Sequence, residues 1–203
     1  TEPPLHHVQR KAQTIGGGTT EVAVVSLGGV VESESIKTAG DAFDEAIVRY
    51  VRRKHNILIG KRTAEELKIG IACLVPRAEV GIQEVKGRCL TTGLPKSVKI
   101  SSVELVEAIA EPARDILETI HMVLERTPPE LVSDIAQNGI VMAGGGSLIY
   151  GFDQLVEKDT GIRTTVVDDA LSCAAFGSGK MLMNLNDMQD GMVNLARKRQ
   201  MKA

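Results

Sequence analysis

Ile15-Gly16-Gly17-Gly18-Thr19-Thr20-Glu21 runs directly into the apolar stretch Val22-Ala23-Val24-Val25-Ser26-Leu27. Three consecutive glycines leave a backbone without Cβ atoms, able to take positive φ and to bring its N–H groups close to an anion. Two hydroxyls and a carboxylate follow at once. The stretch reads either as a phosphate grip on a hairpin or as a plain glycine-rich turn between two strands. It is not a P-loop, because no Gly-x-x-x-x-Gly-Lys occurs. It is not a dinucleotide fingerprint either, because Gly16 and Gly18 lack the third glycine. A second triple glycine, Gly144-Gly145-Gly146, shifts the balance toward a ligand. It follows the uninterrupted apolar run Gly139-Ile140-Val141-Met142-Ala143, the pattern of a strand buried on both faces. Strand, glycine turn and helix is an arrangement that presents backbone N–H groups to a ligand.

Composition narrows the classes. The chain has 203 residues, 43% hydrophobic and 25% charged, with a net charge of -2. That length buries a core and fits one domain or two small subdomains. The charge balance argues against nucleic acid, whose binders carry a basic footprint. Aromatics make up only 2% with no Trp, so a base-stacking platform is not expected. Cys73, Cys89 and Cys173 are odd in number and far apart, which suggests free thiols in a reducing compartment. His6, His7, His55 and His121 have no partner at metal-ligand spacing. No apolar run approaches the ~18 residues of a membrane span, and no signal peptide opens the chain.

In chain order, residues 1–14 show no clean periodicity and read as a poorly ordered lead-in. Glu21–Leu27, a Gly28-Gly29 turn and Val30–Lys37 read as a hairpin. Gly40-Asp41-Ala42-Phe43-Asp44 opens a helix with Phe43, Ile47, Tyr50 and Val51 on one face. Ile57–Gly60 is a connector. Thr63-Ala64-Glu65-Glu66 reads as a capping box starting a helix to about Leu74, with Glu65 and Lys68 on one face. Val80–Val85 and Ser97–Ile100 look like short strands around Thr91-Thr92-Gly93-Leu94-Pro95. Ser101-Ser102-Val103-Glu104 is a second capping box, and its long helix to about Glu125 should kink at Pro112. Pro128 and Pro129 start another helix. A helix from Leu148 to about Lys158, a strand Arg163–Val167, and a small-residue helix from Leu171 to about Leu185 follow. Asn186–Ala203 is a polar tail. Alternating strands and helices give an α/β class.

Ile15–Leu27, Ala39–Glu45, Ile59–Glu66, Thr92–Lys96, Leu124–Leu131 and Gly139–Ser147, in this order, together resemble the MreB family, the bacterial actin homologues that determine rod shape. The resemblance runs from about residue 15 to about 184 and matches the second half of that family's fold. It implies an actin-like (ribonuclease H-like) ATPase domain with a smaller α/β subdomain inserted over about 40–135. It implies ATP with Mg²⁺ as ligand. By resemblance, Gly16, Gly17 and Gly18 with Thr19 are the second phosphate loop, and Thr19 or Thr20 orients water or Mg²⁺. Gly144, Gly145 and Gly146 are the adenosine motif. Glu65 and Lys68 lie on the helix closing over ribose and adenine, and Gly40 and Asp41 sit at the phosphate-side turn. Where the family carries an aspartate just before the isoleucine, this chain has Thr14, which brings no charge to a metal. The family's first phosphate loop, catalytic glutamate and membrane-inserting segments belong to the half not matched here, so no catalytic residue is assigned.

The resemblance further implies self-association into filaments, a membrane-anchored cell-shape partner of the RodZ type, and a cytoplasmic location, membrane-associated through other segments or partners. Two other readings stand beside it. One is a truncated domain with weak or no nucleotide binding. The other is a sugar or carboxylate kinase of the same superfamily, for which no candidate base with supporting residues is found.

Overall fold

The computed structural model describes residues 10–27 and 29–183. Its strands are β1 (Arg10–Ile15), β2 (Thr20–Ser26), β3 (Gly29–Ile36), β4 (Ile57–Leu58), β5 (Ile82–Cys89), β6 (Pro95–Ser101), β7 (Ile140–Ala143) and β8 (Thr164–Val166). Its helices are α1 (Gly40–His55), α2 (Lys61–Ile71), α3 (Ser102–Arg126), α4 (Pro129–Asn138), α5 (Phe152–Thr160) and α6 (Cys173–Met183). A single 3-10 turn, Gly145–Leu148, separates β7 from α5.

Five strands form one mixed sheet in the order β3-β2-β1-β7-β8. β1, β2 and β3 are antiparallel, while β7 runs parallel to both β1 and β8. Of the parallel strands only β7, Ile-Val-Met-Ala, is continuously apolar. Three strands, β4-β5-β6, make a separate antiparallel sheet. The two sheets are joined by α3, which packs on β2, β3 and β6 and also lies against α1. Glu104, Glu107, Glu111 and Asp115 recur at helical spacing along α3 and meet His55, Tyr50, Arg49 and Thr38 in turn.

One expectation is corrected at the centre of the sheet. Residues 10–14, read as lead-in, form most of β1, the strand between β2 and β7. Its alternation was hidden because Gln13 takes an inward position, fully buried, where an apolar residue is expected. The rest of the lead-in and the tail from 184 onward lie outside the described residues, as does Gly28 of the hairpin turn.

The Thr63 capping box does not form. α2 begins at Lys61 behind Gly60, with no side-chain cap, and ends at Ile71 rather than Leu74. The Ser101 box does form: Glu104 N–H donates to Ser101 Oγ at 3.3 Å, and Ser101 N–H donates to Glu104 Oε2 at 3.0 Å. α3 is helical without interruption through Pro112. Between β7 and α5 the chain makes the 3-10 turn and a left-handed Gly151 before the helix starts at Phe152, four residues later than expected from Leu148. The predicted face of α1 is buried as read, and Phe43 meets Phe152 edge-on with ring centroids 6.1 Å apart.

Candidate functional site

The two glycine turns meet although they lie far apart in sequence. β1 and β7 are neighbours with Thr14 opposite Ala143, so the turns that follow them leave the sheet side by side. Contact is tight. A Cβ on Gly144 would stand 2.3 Å from the Ile15 carbonyl oxygen, and one on Gly146 would stand 2.3 Å from Ile15 Cγ2. Gly144 also has φ +84, which only glycine adopts at low cost. The turn is held by Gly144 N–H to Ala170 O at 2.7 Å and by Ser147 Oγ–H to Gly144 O at 2.7 Å.

The first glycine turn is docked on α1. Gly40 N–H donates to Gly16 O at 3.0 Å and Asp41 N–H donates to Gly17 O at 2.7 Å. The first free donors of α1 are thereby satisfied by the hairpin. Gly17 and Gly18 N–H have no backbone acceptor among the described residues, and neither do Gly145 and Gly146 N–H.

Around these turns is a cavity of about 580 Å³. Its volume falls within the ~300–1,000 Å³ of small-molecule and cofactor sites. Of the residues singled out in the sequence, Gly16, Gly17, Gly40, Glu65, Lys68, Gly144, Gly145 and Gly146 line it, and so does Thr14. Gly18, Thr19, Thr20 and Asp41 do not. Gly18 and Thr19 are exposed at the hairpin tip. Thr20 is fully buried and its hydroxyl donates to Thr38 O at 2.7 Å, so it ties β2 to the segment before α1. Asp41 pairs with Lys61 Nζ at 2.9 Å, and that bond holds its carboxyl below the usual carboxylate range.

Lys68 is not a free cation reaching from α2. Its Nζ contacts Asp44 Oδ1 at 2.8 Å and donates to Gly40 O at 3.0 Å. Asp44 is 3% exposed; burial pushes its pKa up, with Lys68 opposing. Lys68 therefore ties α2 to the start of α1 beneath the cavity. Asp44 was missed in the sequence, although the signal was present: a carboxylate falls within the apolar face formed by Phe43, Ile47, Tyr50 and Val51. Glu65 is exposed at the cavity rim. The opposite wall is apolar, with Leu148, Ile149 and Leu171.

The lining suits a flat apolar group next to a polyanion, because it combines apolar side chains with glycine backbone donors. A divalent cation is less well served. Thr14 offers a hydroxyl, Glu65 is the single carboxylate in the lining, and among the described residues no three His, Cys, Asp or Glu side chains cluster.

Comparison with known proteins agrees with this geometry. The model of the family described as MreB/Mbl protein matches residues 12–190. The chain is 48% identical over 177 residues to the cell shape-determining protein MreB of Escherichia coli (strain K12), covering 87% of this chain and 51% of that protein. It is 42% identical over 174 residues to the cell shape-determining protein Mbl of Bacillus subtilis (strain 168), covering 86% and 52%. The chain thus spans about half the length of these relatives. Among solved structures, MreB 5 of Spiroplasma citri bound to AMPPNP superposes with a TM-score of 0.86 at 37% identity, over 89% of this chain and 54% of that one. The MamK double helical filament gives 0.66 at 27% identity, over 82% and 54%. The fold is actin-like, and with a family match spanning nearly all described residues the chain belongs to the MreB/Mbl family.

Proposed function

We propose that this chain supplies one wall of an ATP-binding cleft in a filament-forming cytoskeletal protein that controls rod cell shape by organising cell-wall synthesis. The observation that carries this is the convergence of Gly16-Gly17 and Gly144-Gly145-Gly146 on one cavity. The hairpin amides of Gly17 and Gly18 would hold the β- and γ-phosphates, with Thr19 beside them at the tip, able to orient water. The Gly144–Gly146 backbone would lie against the ribose and base. The helix that carries Glu65 and Lys68, α2, would close over the ribose and adenine. Mg²⁺ would come with the nucleotide, held mostly by phosphate oxygens and water, as that ion prefers. The AMPPNP-bound and ADP-bound structures of Spiroplasma citri MreB5 support a nucleotide, and the MamK double helical filament supports self-association. A membrane-anchored partner of the RodZ type and a cytoplasmic location fit the same reading.

The test is titration of a fluorescent ATP analogue into the purified 203-residue chain with Mg²⁺, read by anisotropy. Saturable binding competed by ATP supports the cleft wall. No binding up to millimolar ligand leaves a structural domain whose glycine turns are inherited shape. The kinase reading would need turnover that depends on a sugar or carboxylate substrate, and among the described residues that line the cavity Glu65, at the exposed rim, is the one carboxylate.

A further inference from the structure

Arg77 lies in the segment between α2 and β5, outside every motif that led to the nucleotide reading. Its guanidinium carbon sits 4.4 Å above the centroid of the Tyr150 ring. One of its nitrogens, Nη2, donates to Ala72 O at 3.0 Å. Its Nε is buried and has no acceptor among the described residues. Tyr150 is anchored from below, its carbonyl accepting Leu74 N–H at 2.9 Å, and the backbone at Cys73 bridges to it. The stack therefore closes the seam between the α2–β5 segment and the turn that follows Gly146. Both Arg77 and Tyr150 line the cavity.

A buried guanidinium N–H without an acceptor is costly, and such groups are ordinarily satisfied. Here the Tyr150 ring and the Ala72 carbonyl hold the guanidinium in the cavity wall. The neighbouring wall is apolar, with Leu148, Ile149 and Leu171. A planar ring that carries hydrogen-bond acceptors fits this combination of a stacked fork and an apolar wall. Phosphate fits it poorly, because the glycine amides and not the apolar wall suit an anion.

We infer that Arg77, held over the Tyr150 ring, recognises the base of a bound purine nucleoside triphosphate by donating to a ring acceptor. This deepens the nucleotide reading and rests on it. Arg77 becomes a determinant of base recognition, and the glycine turns hold the rest of the ligand. Lysine would not replace it, since an ammonium neither stacks flat nor presents a fixed fork.

The experiment measures ATP and inorganic tripolyphosphate, each by competition against a fluorescent ATP analogue, on the full chain. The variants are Arg77→Lys, Arg77→Met and Tyr150→Ala, with Arg114→Met, an exposed cation on α3 outside the cavity, as control. The expected result is an ATP affinity about tenfold weaker in the Arg77 variants, the loss of one charged hydrogen bond. Tripolyphosphate affinity stays at the wild-type value, and Tyr150→Ala weakens ATP in the same selective way. Thermal melting of each variant separates lost binding from lost folding, and Arg77→Lys keeps the test valid if Arg77→Met unfolds. Arg77→Lys binding ATP as the wild type does would overturn the inference, and so would an equal loss for ATP and tripolyphosphate. Wild-type protein that binds neither ligand would overturn the nucleotide reading itself, and this inference with it.

Discussion

Gly144→Ala tests the joint between the two glycine turns. The new methyl group meets two obstacles. Gly144 has φ 84 and ψ 159, a region nearly closed to residues with a Cβ, and strain there is of order 1–3 kcal/mol. The Cβ also lands 2.3 Å from the Ile15 carbonyl oxygen and 2.7 Å from its carbon. Both are backbone atoms of β1, which cannot swing aside as a side-chain end can. Such overpacking costs typically about 1–3 kcal/mol. The sum, about 4 kcal/mol, corresponds to a Tm lowered by roughly 8–16 °C in a protein of this size. Gly161→Ala is the matched control. It has φ 69 with nothing within 4 Å of the built Cβ, so strain of about 1–2 kcal/mol is its whole cost, or roughly 2–8 °C. Thermal unfolding followed by far-UV circular dichroism compares them directly. The two variants melting within about 2 °C of each other would refute the claim that the Ile15 backbone fixes the second turn.

The other predictions follow the same geometry. Gly145→Val should weaken nucleotide binding more than Glu65→Ala, because a Cβ at Gly145 already stands 3.0 Å from Leu171 Cδ2 while Glu65 is an exposed rim residue; the reverse ranking in the anisotropy titration would count against placing the base and ribose on that turn. Steady-state ATP hydrolysis by this chain alone should not exceed buffer, since it offers backbone donors but no positioned base, and a clear rate abolished by Thr19→Ala would contradict this. Burial works against the Glu104 carboxylate, but the Ser101 N–H, the Ser101 hydroxyl and the His55 ring outweigh it and hold its pKa below the ordinary 4.5. A lowered carboxylate pKa stabilises the fold above the unfolded value and loses that contribution as pH falls through the folded one. Glu104→Gln should therefore cost about 1 kcal/mol at neutral pH, and its Tm gap to the wild type should close as pH falls below 4.5; a gap independent of pH would argue against the charged cap. The Thr92 hydroxyl and the Thr92 and Thr91 N–H groups draw the Cys89 thiol down to about 7. Alkylation of Cys89 should have its midpoint near pH 7 and shift upward toward the ordinary 9.0 in Thr92→Val, while an unchanged profile would remove Thr92 as the cause.

The hairpin, the α1 face, the Ser101 cap and the buried strand before Gly144 were all legible because each is local. Each depends on a spacing that one segment carries by itself. What escaped the sequence depended on partners. The strand expected before the glycine loop is weak in sequence because Gln13 breaks its alternation, and only β2 and β7 on either side make it a central strand. The Thr63 box has the right letters, but α2 starts two residues earlier, behind Gly60, where Lys61 finds Asp41 of α1. The hydroxyls after the glycines suggest a ligand-facing Thr20, and the resemblance places Asp41 at the phosphate side; the Thr20 hydroxyl goes to Thr38 O and the Asp41 carboxylate to Lys61. Arg77 and Tyr150 carry no motif, and only the meeting of two distant loops stacks one on the other.

These partnerships make the site a single mechanical unit. Ile15 touches Gly144 and Gly146 on one side, and its neighbours Gly16 and Gly17 accept the first amides of α1 on the other. Gly40, the first residue of that helix, gives its carbonyl to Lys68 of α2, and Lys68 is held in turn by buried Asp44. An unbroken line of backbone and ion contacts therefore leads from the second glycine turn through the first to the helix on the far side of the cavity. Apart from Asp44, every residue in the line either lines the cavity or is next in sequence to one that does. A ligand that moved either glycine turn would have to move Gly40, and Gly40 cannot shift without straining the Lys68 contact. α2 is thus coupled to whatever occupies the glycine turns, although it has no hydrogen bond to either of them. Lys61 makes a second tie, to Asp41 beside the first turn, so cutting both, with Lys61→Met and Lys68→Met together, should loosen α2 from the turns while leaving both turns docked on β1 and α1. Hydrogen exchange along α2 would then stop responding to nucleotide, and exchange in the Gly144 turn would still respond.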